Sequence, residues 1–204
     1  NILNKKDRES IFEVVINAIK KIGYRGAGTF EMLYEEGKFY FIEMNTRLQV
    51  EHPVTEMITG IDIVTEQIRV ASGEKLSFKQ KDITFNGHSI ECRINAENSL
   101  TFNPSPGKIK TYHTPGGIGV RIDSALYQGY KVVPHYDSLI AKLVVHGSDR
   151  KQAVSRLKRA LKEYIIEGIE TTLDLHDIII NSEDFINYNY DIHWLEKLIA
   201  SKNK

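Results

Sequence analysis

The residues best suited to chemistry fall in one run, positions 43–55, which reads EMNTRLQVEHPVT. Glu43, Asn45, Arg47, Gln49 and Glu51 occupy alternate positions, with Met44, Thr46, Leu48 and Val50 between them. On an extended backbone alternate side chains point to opposite faces, so one face would carry two carboxylates, two amides and a guanidinium. An ordinary half-buried surface strand shows the same period. Composition shifts the balance, because an ordinary solvent face is rich in Lys, Ser and Thr, whereas this one mixes Glu, Asn, Arg and Gln with no Lys. Carboxylate and amide oxygens suit a hard cation such as Mg2+, and an adjacent guanidinium suits a planar oxyanion. A cation site beside an anion site is what phosphate chemistry needs.

The preceding residues must place that run. Two strand-like segments, 28–34 and 39–44, flank Glu35-Glu36-Gly37-Lys38 and predict a β-hairpin. A two-residue turn at Glu36-Gly37 would pair residue 31 with 42 and put Glu31 and Glu43 on opposite faces. A three-residue loop over positions 36–38, or an equivalent bulge, pairs 31 with 43. The expectation is the odd loop or the bulge, with Glu31, Leu33, Phe41 and Glu43 sharing a face. Directly opposed residues have Cβ atoms about 5 Å apart, and two like charges there call for a cation between them.

Apolar residues make up 41% of the 204 and charged residues 26%, an ordinary balance for a globular chain able to bury a core. Lys plus Arg equals Asp plus Glu at 27 each, so net charge gives no reason to expect nucleic acid or an anionic membrane. With no long apolar run, no signal peptide and a single cysteine, Cys92, the expectation is a cytoplasmic protein without internal disulfides.

Before the hairpin, residues 7–22 predict an amphipathic helix with Asp7 as N-cap and Gly23 as stop. Its apolar stripe would be Ile11, Val14, Val15, Ala18, Ile19 and Ile22. Gly23, Gly26 and Gly28 read as cap and tight turn rather than a phosphate loop. Residues 62–71 predict a second helix with Ile61, Val64, Ile68 and Ala71 buried. The polar segment 76–86 suggests a domain boundary. Beyond it, residues 89–97 alternate as a strand, with short β-segments near 109–113 and 119–122 and an apolar strand at 139–146. Helices are expected at 150–164, 172–180 and 193–200. Strands followed by helices give an α+β class. The seven histidines show no zinc spacing, and His52, before Pro53, reads as structural.

The run FIEMNTRLQVEHPVTE (41–56), with GYRGAGTFE (23–31), ECRINAE (91–97), PSPGKI (104–109) and YDSLIAKL (136–143), resembles biotin carboxylase. It is most similar to the stand-alone subunit of bacterial acetyl-CoA carboxylase, over the C-terminal portion only. The family's N-terminal domain and glycine-rich lid have no counterpart, so the chain resembles a fragment. The fold implied is the C-terminal half of an ATP-grasp domain (1–78) followed by the biotin carboxylase C-terminal domain (84–204).

The resemblance also implies roles. Glu31 and Glu43 would hold Mg2+ or Mn2+ bridging the phosphates of ATP, Asn45 a second ion, and Leu33 would line the adenine. Arg47 would bind bicarbonate with Gln49 and the backbone amide of Val50. Glu51 would be the general base. Arg93 would contact bicarbonate and stabilise the enolate forming on biotin's ureido oxygen. Asp137 lies in a matched motif without an assigned role. Implied partners are a biotin carboxyl carrier protein, carboxyltransferase subunits and a second copy through the C-terminal domain. Arg121 and Glu163 match charged positions of that interface, and Ile118 replaces a more usual Phe. Since no biotin-attachment segment follows residue 197, a separate carrier is expected. Two rivals stand beside this reading: a carbamoyl-phosphate synthetase-type enzyme, and a non-catalytic product that pairs with full-length subunits. The chain alone is expected to be inactive.

Overall fold

The computed structural model describes residues 3–202, which form two compact units, one ending at Thr84 and the other beginning at Phe85. The first opens with α1 (Lys5–Ile22). Asn4, not Asp7, is its N-cap, because Asn4 Oδ1 accepts the Asp7 N–H at 2.9 Å. Asp7 is thereby left in the first turn, where its carboxylate accepts the Tyr34 hydroxyl at 2.8 Å and ties helix to hairpin. Gly23, at φ 66°, ends the helix as predicted. Only the strict four-residue row Asp7, Ile11, Val15 and Ile19 is half-buried. Val14 and Ile22, expected in the buried stripe, are 58% and 66% exposed, and Ala18 is exposed too.

The hairpin pairs β1 (Thr29–Glu35) with β2 (Lys38–Asn45). Its turn is the even one: Glu36 and Gly37 have φ of 47° and 78°, the positive pair of a type I′ turn. A bulge restores the parity. Met32 faces Phe41 and Glu31 faces Glu43, so Ile42 is the extra residue. The bulge also corrects one expected neighbour. Leu33 faces Tyr40, while Phe41 goes to the other face with Met32 and packs 5.7 Å from the Phe30 ring.

The extended backbone ends at Asn45, and this too corrects the sequence reading: Arg47, Gln49 and Glu51 do not continue a strand. They lie in a turn that enters α2 (His52–Thr59), which has Pro53 in its first turn. Then comes α3 (Ile63–Ala71), capped by Asp62 accepting the Thr65 N–H at 2.8 Å. The buried carboxylate of Glu56 accepts the Ile63 N–H at 2.8 Å and locks the two helices together. On α3, Ile63, Glu66, Gln67, Arg69 and Val70 are half-buried, whereas Val64 and Ile68, expected to be buried, are 40% and 62% exposed and Ala71 is exposed too.

The second unit is built on β3 (His88–Asn95), β4 (Gly107–Lys108), β5 (Thr111–His113), β6 (Val120–Ser124), β7 (Lys131–Val132) and β8 (Leu139–Gly147). It continues through α4 (Arg150–Glu163), β9 (Ile165–Glu167), α5 (Leu173–Asn181), α6 (Glu183–Ile186) and α7 (Trp194–Lys202). An antiparallel sheet runs β3-β8-β6, so β8 is central and β3 is an outer strand. The predicted segment 109–113 splits around buried Ile109, because β4 pairs with β7 while β5 pairs with β9. Cys92, Ile94 and Ala96 point inward as the alternation requires, and pack with Leu143 and Val145 of β8 and Ala153, Leu157 and Ala160 of α4. Fold class and architecture are thus α+β, with most of the chain's buried residues in this unit. Among the described residues no helix is long and apolar enough to cross a membrane.

Candidate active site

Register builds the site. With Glu31 opposite Glu43, both carboxylates stand on one face of the hairpin. Asn45, two residues on, shares that face and donates from Nδ2 to Glu31 at 2.7 Å and to Glu43 at 3.3 Å. Gln49, brought back by the turn after β2, donates from Nε2 to the same Glu31 oxygen at 2.7 Å. Two amides therefore offset the paired negative charge. Gly28 makes room at the base of the hairpin: a Cβ there would meet the Met44 side chain at 2.8 Å and the Asn45 carbonyl at 3.3 Å.

Two carboxylates and one amide fit a divalent hard cation. Turned over, the Asn45 amide would offer Oδ1 instead of its N–H, and the assignment of amide O and N follows the hydrogen bonds present. Among the described residues no group of three or more His, Cys, Asp or Glu side chains could hold a metal unaided. A pair of carboxylates suits Mg2+, which keeps several water or phosphate oxygens when bound by one or two carboxylates.

Arg47 follows at once. Its side chain is exposed, with Nη1 donating to the Leu48 carbonyl at 3.0 Å. Glu51 occupies the N-cap position of α2 without using its side chain as the cap. Val50 precedes it, so the Arg47 guanidinium and the α2 N-terminus belong to one short segment, a local arrangement favourable to an anion. His52 is structural, as expected, since its Nδ1 lies 2.7 Å from the Gln49 carbonyl. Leu33 is 63% exposed on the face that carries Glu31.

The first unit thus brings together Glu31, Glu43, Asn45 and Gln49, with Leu33 alongside and Arg47, Val50 and Glu51 in the following turn. Arg93 belongs to the second unit, exposed on β3 opposite Lys142. Asp137 acquires a local role: its Oδ1 accepts the Leu139 N–H at 2.9 Å and fixes the entry to β8. Arg121 makes two hydrogen bonds to Asp123, at 2.7 and 2.8 Å, and Glu163 pairs with Arg159 at 2.7 Å. Ile118 is 87% exposed. Sequence reasoning missed Thr172 and His176, which bond to the backbone of Arg93 from α5. No local signal marks them, because they lie 79 and 83 residues away in the chain.

A bulged hairpin with opposed carboxylates, followed by an antiparallel α+β unit, defines a chain in two family segments. Residues 1–79 match the ATP-binding domain of the carbamoyl-phosphate synthase L chain, and residues 91–197 match the biotin carboxylase C-terminal domain. The chain belongs to the biotin carboxylase family, as its C-terminal portion. It is 55% identical to the biotin carboxylase of Pseudomonas aeruginosa over 97% of its own length and 44% of that protein. A pyruvate carboxylase subunit of Methanothermobacter thermautotrophicus is also 55% identical, over 96% of this chain and 40% of that protein. The biotin carboxylase domain of Hydrogenobacter thermophilus 2-oxoglutarate carboxylase, a dimer in complex with MgADP, ADP and bicarbonate, superposes with a TM-score of 0.91 at 50% identity, covering 97% of this chain and 45% of that one. The chain therefore spans less than half the length of these relatives.

Proposed function

We propose that this chain supplies part of the active site of an ATP-dependent biotin carboxylase, which carboxylates carrier-bound biotin with bicarbonate through carboxyphosphate. The observation that carries the reading is the bulge that sets Glu31 against Glu43, with Asn45 and Gln49 bonded to them. The magnesium, ADP and bicarbonate bound by the Hydrogenobacter relative support it.

Each residue has a physical task. Glu31, Glu43 and Asn45 would hold Mg2+ or Mn2+, whose charge offsets that of the ATP phosphates, while Leu33 packs against the adenine. Arg47, Gln49 and the Val50 N–H hold bicarbonate so that an oxygen can attack the γ-phosphorus and ADP departs. Glu51 takes the bicarbonate proton. A carboxylate is a weak base at neutral pH, so its contribution is chiefly position. Carboxyphosphate then gives CO2 and phosphate, phosphate takes the N1′ proton of biotin, and N1′ attacks CO2. Arg93 faces the negative charge that develops on the ureido oxygen, and loss of one such donor typically costs about 100- to 1000-fold in rate.

The proposed role extends to the first half-reaction of acetyl-CoA carboxylase in fatty acid synthesis, in the cytoplasm, with a separate biotin carboxyl carrier protein, carboxyltransferase subunits and a homodimer through the second unit. The likeness to the P. aeruginosa protein supports the carboxylase assignment. Equal identity to a pyruvate carboxylase subunit supports the reading that choice of the final acceptor lies with the carboxyltransferase. Residues 1–204 alone are proposed not to carboxylate biotin. The test is ADP release by the full-length protein with bicarbonate and free biotin each supplied or withheld. Turnover requiring both, and mostly lost in Arg47→Ala, is expected. Turnover with bicarbonate but indifferent to biotin would favour the carbamoyl-phosphate type and discard the Arg93 role.

A further inference from the structure

An outer strand leaves backbone N–H and C=O groups unpaired along one side. On β3 that side is closed at Arg93 and Asn95 by two residues one helical turn apart, Thr172 and His176 at the start of α5. The Thr172 N–H donates to the Asn95 carbonyl at 3.1 Å, and the Asn95 N–H donates to Thr172 Oγ1 at 2.9 Å. That hydroxyl in turn donates to the Arg93 carbonyl at 3.1 Å, and His176 Nε2 donates to the same oxygen at 2.7 Å. Because a carbonyl can only accept, Nε2 carries the hydrogen. Burial pushes the His176 imidazole below its ordinary value, against the opposing effect of its bond to Arg93. Thr172 is 5% exposed, so its bonds are shielded from water.

The placement of these bonds is specific. Pairing of β3 with β8 is regular from His88 to Ile94 and then shifts, so that Ile94 faces Ala141 but Asn95 faces Leu139. The shift falls next to Arg93, which itself still pairs with Lys142, and the bonds from Thr172 and His176 to Arg93 and Asn95 bracket it. We propose that Thr172 and His176 are positioning residues for Arg93, clamping its carbonyl so that its guanidinium is presented in one orientation. The proposal rests on the catalytic reading of Arg93 given above.

The test uses the full-length protein. His176→Ala is expected to lower biotin-dependent ADP release about 10- to 100-fold, the scale a misplacement on the order of 1 Å produces. KM for ATP is expected to stay unchanged, because the nucleotide is assigned to Glu31, Leu33 and Glu43. His176→Gln keeps a donor at similar reach and is expected to restore most of the rate. In an Arg93→Ala background, His176→Ala should add nothing further. Should His176→Ala fail to fold, Thr172→Val against Thr172→Ser asks the same question, since Val removes the hydroxyl bonds at similar volume and Ser keeps them. Wild-type rate in His176→Ala, failure of Gln to restore it, or full additivity with Arg93→Ala overturns the proposal. Wild-type rate in Arg93→Ala would sink the Arg93 reading and the proposal together, whereas an inactive Arg93→Ala beside a fully active His176→Ala sinks the proposal alone.

Discussion

One oxygen of Glu31 accepts from both Asn45 and Gln49. Those amides do by hydrogen bonding what a divalent cation would do by charge. Removing one carboxylate should therefore affect metal affinity more than folding. In the full-length protein with ATP present, Glu43→Gln is expected to weaken Mn2+ binding, read by the electron paramagnetic resonance signal of free Mn2+, by about tenfold or more. A tenfold loss corresponds to about 1.4 kcal/mol of binding free energy. Unchanged Mn2+ affinity would take the metal role away from the pair. At this scale residue types and their period drew attention to Glu43 and Asn45, the hairpin pairing added Glu31, and the structure brings the three side chains together. The sequence could not show Gln49 bonded to Glu31, since that contact depends on a turn that follows the strand.

At the scale of elements, one even turn and one bulge together produce the parity that an odd loop would also give. The carboxylates at positions 31 and 43, once paired, call for a cation between them, but they do not specify the device that pairs them. The period-2 pattern misled beyond Asn45, because the same alternation of polar and apolar residues continued through a turn into α2. Pro53 was the available signal of a helix start there. On α1 and α3 the apolar positions outnumber the rows actually covered, so periodicity located the helices while misjudging their buried faces. The turn itself can be improved. Glu36 sits at φ 47°, a left-handed conformation that costs a non-glycine residue roughly 1 kcal/mol or more, and Asn tolerates it better. Glu36→Asn is expected to stabilise the hairpin by up to about 1 kcal/mol, seen as a higher urea midpoint for the first unit. A lower midpoint would mean that Glu36 makes a contribution beyond turn geometry.

Across the whole molecule, the two units differ in how much they bury. The fully covered side chains are concentrated in the second, on β8 and α4, while in the first Pro53 and Glu56 are the buried residues of α2 and none is buried in α1 or α3. The candidate metal residues and Arg47, Gln49 and Val50 lie in the less buried unit, Arg93 lies in the other, and the chain spans under half the length of its relatives. Catalysis is accordingly assigned to the full-length protein. Its most direct measure is the transfer of label from 14C-bicarbonate to biotin in the presence of ATP and Mg2+. ATP-dependent formation of labelled carboxybiotin, abolished for the most part in Arg47→Ala and Arg93→Ala, is the predicted result. ATP consumption with bicarbonate that leaves biotin unlabelled would contradict the account.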